Sequence, residues 1–197
     1  FTVGAPAPPV LPAAWAWGDG ERGRLGSGNT GVSSTPVPVF TRGALDGKVI
    51  GTVAAGYFHT LVIDSGGAVF AWGNNTSHEI GTTSPQSEFL TAVKVDDTGA
   101  LAGKRITGIG AGHAHSLALS STGEVFAWGS DSEGQVGDNG GTGSNVHLPT
   151  PVMGLLAGKR IIAVSAGYEF SLALSDQGKL YAWGENAQGQ LGEGFTN

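Results

Sequence analysis

The sequence predicts an all-β fold assembled from repeated four-stranded antiparallel sheets, and three observations carry that reading. The first is a strict internal repeat, the mark of stacked supersecondary units. Trp-Gly recurs at Trp17-Gly18, Trp72-Gly73, Trp128-Gly129 and Trp183-Gly184, at intervals of 55, 56 and 55 residues. Ala-Gly recurs at Ala55-Gly56, Ala111-Gly112 and Ala166-Gly167, each glycine 16 residues before its tryptophan. An aliphatic residue plus glycine recurs at Leu25-Gly26, Ile80-Gly81, Val136-Gly137 and Leu191-Gly192, with the aliphatic residue 8 after its tryptophan. The second observation is a hydrophobic period of two, the period of a strand. The third is composition. Glycine makes up 35 of 197 residues and charged residues only 13%, against about 25% in an ordinary domain. The 40% hydrophobic content suffices for a core, but helices with charged solvent faces are hard to write with so few charges.

Within one unit the elements follow in order. Ser116-Leu117-Ala118-Leu119 places Leu117 and Leu119 on one face. The polar turn Ser120 to Gly123 follows, and Val125-Phe126-Ala127-Trp128 returns with Phe126 and Trp128 on one face. A short glycine-bearing turn between alternating strands is a hairpin signal. The same hairpin is written by Leu61/Ile63 with Phe70/Trp72, and by Leu172/Leu174 with Tyr181/Trp183. Upstream of each hairpin a third strand is predicted at Val49–Val53, Arg105–Ile109 and Arg160–Val164. A fourth is predicted near Val37–Val39, Ala92–Val95 and Thr150–Met153. No helical period of useful length occurs, so helix is expected only as a turn or two. Both faces of such a sheet are apolar or small. It must bury them against copies of itself, and stacked twisted four-stranded sheets make a β-propeller.

The unit Ala111-Gly112-His113-Ala114-His115-Ser116-Leu117-Ala118-Leu119, with Gly123 to Ala127-Trp128-Gly129 and Gly134-Gln135-Val136-Gly137, resembles the repeat of the regulator of chromosome condensation family. The resemblance runs from Trp15 to Gly194 and implies a seven-bladed propeller. Seven units of this period need roughly 390 residues. The chain would thus supply about half a ring: an extended Pro/Ala-rich lead-in over 1–14, then about 3.5 units over 15–197. It begins at Phe1, not Met, and reads as a processed or excised piece. The other half is expected from the rest of a longer chain, or from another copy. Two departures stand out. His78 replaces the glycine found at Gly23, Gly134 and Gly189, which strains it if the position needs positive φ. Phe170 replaces the histidine found at His59 and His115.

Composition also excludes function classes. A net charge of −6 with ten Lys and Arg argues against a nucleic-acid partner. The absence of cysteine removes disulfides, zinc fingers and thiol chemistry. No apolar run approaches the ~20 residues that span a bilayer, so no membrane partner is expected. No cysteine, few charges and a non-Met start suit a secreted bacterial protein, placed extracellularly or at a cell surface.

Most chemically suggestive residues are absorbed by the repeat. His59 and His115 occupy equivalent positions and Phe170 fills the third, which a packing role survives and a metal site does not. Trp17, Trp72, Trp128 and Trp183 hold one position per unit and read as core. Trp15 aligns with Phe70, Phe126 and Tyr181 and is read likewise. The acidic loop with Asp131, Glu133 and Asp138 matches no calcium-loop spacing, and no helix follows the glycine runs as a phosphate loop requires. No catalytic residues, metal site or cofactor are expected.

The informative residues differ where the framework is constant. Between Ala-Gly and the histidine position stand Tyr57-Phe58, His113-Ala114 and Tyr168-Glu169. These strand-to-strand corners project from one end of the sheets, where recognition residues are usually carried. Tyr57, Phe58, His113, Tyr168 and Glu169 are therefore the candidate partner-binding residues, for a protein of unknown identity. Secreted bacterial members of the family that inhibit β-lactamases are similar at this corner. The loops after each Trp-Gly, beginning with Asp19, Glu21, Arg22 and Arg24, are the alternative surface, expected at the other end. Two other functions are weighed. Guanine-nucleotide exchange, implied by the family's founding member, uses face residues and an inserted β-wedge, for which the intervals leave no room between Trp17 and Trp183. A purely structural repeat in a larger surface protein is the third reading.

Overall fold

The computed structural model describes residues 14–40 and 42–196; the lead-in, apart from Ala14, lies outside them. Among the described residues there are thirteen strands: β1 (Trp15–Gly18), β2 (Ser33–Pro38), β3 (Ile50–Ala55), β4 (His59–Asp64), β5 (Val69–Asn74), β6 (Glu88–Lys94), β7 (Ile106–Ala111), β8 (His115–Ser120), β9 (Val125–Gly129), β10 (Val146–Pro151), β11 (Ile161–Ala166), β12 (Phe170–Ser175) and β13 (Leu180–Gly184). Helix is limited to two 3₁₀ turns, Glu21–Gly23 and Gly154–Leu156. The strands form antiparallel meanders. β3-β4-β5-β6 and β7-β8-β9-β10 are complete four-stranded blades; β11-β12-β13 has three strands and β1-β2 has two. Among the described residues no helix is long and apolar enough to cross a membrane.

The hairpins fall where hydrophobic alternation puts them. Leu61 pairs with Ala71 and Leu117 with Ala127, and β4, β5, β8 and β9 are buried along their whole length. The outer strands begin several residues earlier than predicted. β2, β6 and β10 are edge strands with irregular registers against β1, β5 and β9. Their first halves are largely exposed or half-buried and carry no strong apolar alternation, so only their ends were visible in the sequence.

One arrangement joins consecutive blades. The main-chain carbonyl of Glu79, seven residues after Trp72, accepts the indole N–H of Trp128 at 2.8 Å and the hydroxyl of Ser116 at 2.8 Å. The carbonyl of Gln135 does the same for Trp183 at 2.9 Å and Ser171 at 2.8 Å. The carbonyl of Arg24 does so for Trp72 at 2.9 Å and Thr60 at 3.0 Å. The serine hydroxyls are used twice. His59 Nε2 lies 2.9 Å from Ser116 Oγ, and His115 Nε2 lies 3.0 Å from Ser171 Oγ. Each serine proton goes to a carbonyl, so each histidine donates from Nε2 and its Nδ1 is unprotonated. The two rings are fully buried and neutral. Burial first, then the neighbouring His115 and His113, push His59 down to about 3; burial and then His113 push His115 down to about 4.

The glycine after each aliphatic marker belongs to the same junction. A Cβ built on Gly26, Gly81 or Gly137 would lie 2.7–2.8 Å from the indole Nε1 of Trp72, Trp128 or Trp183, and all three glycines have positive φ. His78 does adopt left-handed backbone, φ 67°, where Gly23, Gly134 and Gly189 stand at 75–78°. Opposite the corners, Arg105 donates to the carbonyls of Ser65 at 3.1 Å and Gly66 at 3.0 Å, tying the hairpin turn of one blade to the next.

The tryptophan reading needs one correction. Trp72 and Trp128 are core, at 2% and 0% exposure, but Trp17 is 64% and Trp15 55% exposed. Their sheet has two strands, and among the described residues no inner strand pair covers them. They line a groove of about 580 Å³ with Val53, Val62, Tyr57 and Trp72.

Two outcomes are expected. Trp128→Ala should cost about 3–5 kcal/mol in urea unfolding, as large core truncations do, whereas Trp17→Ala on this chain should cost less than about 1 kcal/mol. The second concerns acid. Histidines held neutral contribute stability above their unfolded value near 6.5, which is lost as pH falls toward the folded values near 4 and 3. His115→Phe, which copies the residue at Phe170, should cost about 1 kcal/mol at pH 7.5 through the lost hydrogen bond. It should also remove about 3 kcal/mol of the stability lost between pH 6.5 and 4, so stability-against-pH curves of the two proteins should cross.

Candidate functional site

The three corners between the innermost strand and its neighbour meet at one end of the sheets. Tyr57 N–H donates to the Gly112 carbonyl at 3.1 Å, and His113 N–H to the Tyr168 carbonyl at 3.0 Å. These bonds align the first variable residue of each corner. His113 stacks on Tyr168, with centroids 4.1 Å apart and planes at 21°. Tyr57 meets His113 edge-on at 4.9 Å and Tyr168 at 6.0 Å. Tyr57 and Tyr168 remain 53% and 54% exposed. Together with Ala55-Gly56, Ala111-Gly112 and Ala166-Gly167 they line a shallow depression of about 310 Å³. The alanines and glycines of the framework form its floor and the variable aromatics its relief.

The second corner residues play other parts. Phe58 packs edge-on against Tyr57 at 4.5 Å and lies under the Arg24 guanidinium, 4.6 Å from ring centroid to Cζ. Arg24 also donates to the Tyr57 carbonyl at 2.9 Å and the Glu21 carbonyl at 3.0 Å, and pairs with Asp19 at 3.1 Å and Glu21 at 3.2 Å. A cation over an aromatic face is attractive at this distance, so Arg24 clamps the corner. Glu169 Oε1 stands 3.9 Å from His113 Nδ1, beyond hydrogen-bond reach, and that nitrogen has no partner. All five predicted residues thus stand together, and Arg24, named in the sequence only as part of an alternative surface, holds two of them.

The loops after Trp-Gly are at this same end, not the other one. Asn74 N–H donates to the Phe58 carbonyl, Ser130 N–H to that of Ala114, and Glu185 N–H to that of Glu169, at 2.8–2.9 Å. The reason is parity: two strands separate the corner from the loop, so the chain returns to where it started. Corners and loops form one face. His147, at the start of β10, belongs to it as well; it carried no signal in the sequence because the segment before it differs in length and residues from unit to unit.

The loops are built alike. Asn75, Asp131 and Asn186 each accept the N–H five residues on, from Ile80, Val136 and Leu191 at 2.8–3.1 Å. Glu79 occupies the place of Gln135 and Gln190 and is buried. Its carboxylate accepts from the Ser77 N–H at 2.9 Å and from the Asn74 amide. Burial raises it above the usual glutamate range against those hydrogen bonds. Burial, with Asp138 nearby, also raises Asp131. Among the described residues no three His, Cys, Asp or Glu side chains converge as metal ligands.

Comparison with known proteins fits this geometry. The family model described as the regulator of chromosome condensation (RCC1) repeat matches residues 13–63, 66–119 and 122–174. The chain belongs to the RCC1 repeat family. Among its relatives, the human probable E3 ubiquitin-protein ligase HERC6 is 35% identical over 90% of this chain and 17% of that protein. The ultraviolet-B receptor UVR8 of Arabidopsis thaliana is 36% identical over 91% of this chain and 38% of that one. The crystal structure of Prp20p from Saccharomyces cerevisiae, titled with its binding properties to Gsp1p and histones, superimposes with a TM-score of 0.78. It is 28% identical, over 92% of this chain and 43% of Prp20p. The chain spans less than half the length of each of these RCC1-repeat proteins. The fold is that of their β-propellers.

One loop feature is directly testable. A carboxyl raised in the folded state favours folding at low pH, and that contribution is lost as pH rises from the unfolded value through the folded one. At pH 7 the buried Glu79 carboxylate is therefore a cost. Glu79→Gln, which installs the residue of the two following units, should raise stability by about 1 kcal/mol at pH 7 and change little at pH 4, measured by urea melts.

Proposed function

We propose that this RCC1-repeat chain is a non-enzymatic protein-binding module whose partner sits on the corner face. One observation carries the reading. Three consecutive corners bring Tyr57, His113 and Tyr168 into a single row, the two tyrosines exposed and His113 half-buried between them, although the carbonyl, tryptophan, serine and histidine contacts between blades need none of them. Aromatic side chains on a rigid base are the usual anchors of protein interfaces. The loops around them supply both charge signs, through Asp19, Glu21, Arg22 and Glu169. The partner is a protein, as Gsp1p and Kap60 are for Prp20p. On composition we place the module outside the cell or at a cell surface, within a seven-bladed ring whose other half comes from the rest of a longer chain or from another copy.

The second reading, nucleotide exchange on a small GTPase, is favoured by the likeness to Prp20p. It is opposed by intervals of 55, 56 and 55 residues, which leave no room for an inserted wedge between Trp17 and Trp183. A nucleotide-release assay with a small GTPase separates the two: catalysed release would replace the binding reading.

Tyr57→Ala with Tyr168→Ala should cost about 1 kcal/mol of stability or less. The same pair should weaken the partner complex at least tenfold, about 1.4 kcal/mol, in titration calorimetry. Lys104→Ala, at the opposite end, should leave affinity unchanged. Equal affinity of wild type and the tyrosine pair would reject the corner face.

A further inference from the structure

All five histidines of the sequence stand at the corner end: His59, His113 and His115 at the corners, His78 in the β5–β6 loop and His147 at the start of β10. His59 and His115 are used between blades, and His113 in the aromatic row. His78 and His147 have neither role. They come from neighbouring blades and stack face to face, with centroids 3.5 Å apart and planes at 20°. His78 does so from backbone at φ 67°, where the other units keep glycine.

The far side of the stack is tied to its own blade, through Val146 opposite Gly129 and the Gly143 N–H on the Asp131 carbonyl at 3.0 Å. The register of β10 against β9 is irregular between Val146 and Thr150, and His147 lies in that stretch. The segment before it contains Gly140, Gly141 and Gly143 and is largely exposed. Stacked rings direct their in-plane lone pairs side by side, not to one point, so the pair is not arranged to share a metal ion. Neutral imidazoles at this separation attract, and two imidazolium rings repel.

We propose that the His78–His147 stack is a proton-operated latch. It holds the start of β10 and the glycine-rich loop against the β3–β6 blade while a ring is neutral, and releases them when both are protonated. Burial and His147 together hold His78 below the ordinary histidine value. The surrounding acids are engaged elsewhere. Glu79 turns to Ser77 and Asn74, and Glu88 stands 4.0 Å from Arg22. Asp131 accepts from the Val136 N–H and Asp138 from the Gly140 N–H; Glu133 lies on the same loop. Among the described residues neither imidazole forms an ion pair. The loop is part of the corner face, so the consequence, acid-driven reshaping of the recognition surface, rests on the binding reading; the latch does not.

The test is an NMR titration of the full chain from pH 8 to 5, following the histidine Cε1–H signals and the loop amides. The stacked pair should take up its protons in two separate steps, with the amides of Gly140 to Val146 moving with the lower step. His147→Gln should raise the His78 midpoint and abolish the lower step in the loop. His78→Gly, which relieves the left-handed backbone and removes the stack, should abolish the lower step in the loop amides with the fold intact. Independent single-step titration in the wild type, or loop amides that do not follow the lower step, would overturn the latch. Partner binding that survives Tyr57→Ala with Tyr168→Ala would overturn the face reading and leave this titration unchanged.

Discussion

A single main-chain oxygen per unit organises the contact between blades. The carbonyls of Arg24, Glu79 and Gln135 each take two protons from the next blade, one from an indole and one from a hydroxyl. Both donors are buried or nearly so, and an unmet buried donor costs about 1–3 kcal/mol. The oxygen must therefore sit within hydrogen-bond reach of two side chains on two different strands. That condition fixes how one blade is turned on the next, and histidine Nε2 adds a third bond through the same serine in two of the junctions.

The constraint explains which spacings are fixed. The seven residues from tryptophan to carbonyl, and the aliphatic-glycine pair after it, do not vary because they carry the junction. Between that glycine and the outer strand the length does vary: β2 and β6 begin 16 residues after their tryptophans and β10 begins 18 after. The extra length in the third unit is the glycine-rich segment before His147. The length also varies beyond the outer strand, where 39, 40 and 37 residues run from its start to the next tryptophan; neither variable stretch includes the seven residues that carry the junction.

How much of this could be read in the sequence follows from which atoms do the work. The hairpins were legible because Leu, Phe and Trp alternate, and the corner residues because they break a constant pattern. The junction was not, because its acceptor is a backbone atom; Arg24, Glu79 and Gln135 share no side-chain chemistry that would mark it. The burial of Trp17 was misjudged for a related reason. Its position in the repeat is that of Trp128, but the strands that would cover it are not among those described. The placement of the Trp-Gly loops at the far end was an error of counting, since strand parity already puts corners and loops together. His78 stood out only as a departure from glycine; its stack on His147 left no trace, being formed by two residues that no period relates.

Using a carbonyl instead of a side chain has a further effect on what the face can become. At each junction the residue that supplies the oxygen keeps its side chain free, and the three units use that freedom differently. Arg24 reaches over Phe58 and fixes the Tyr57 corner. Glu79 folds back under its own loop, at an electrostatic cost that Gln135 avoids while accepting the equivalent Glu133 N–H at 2.8 Å. The residue that locks one blade to the next is therefore also the residue that can shape the recognition face. Its side chain can change from Arg to Glu to Gln without loss of the lock, because no part of the lock is made of it.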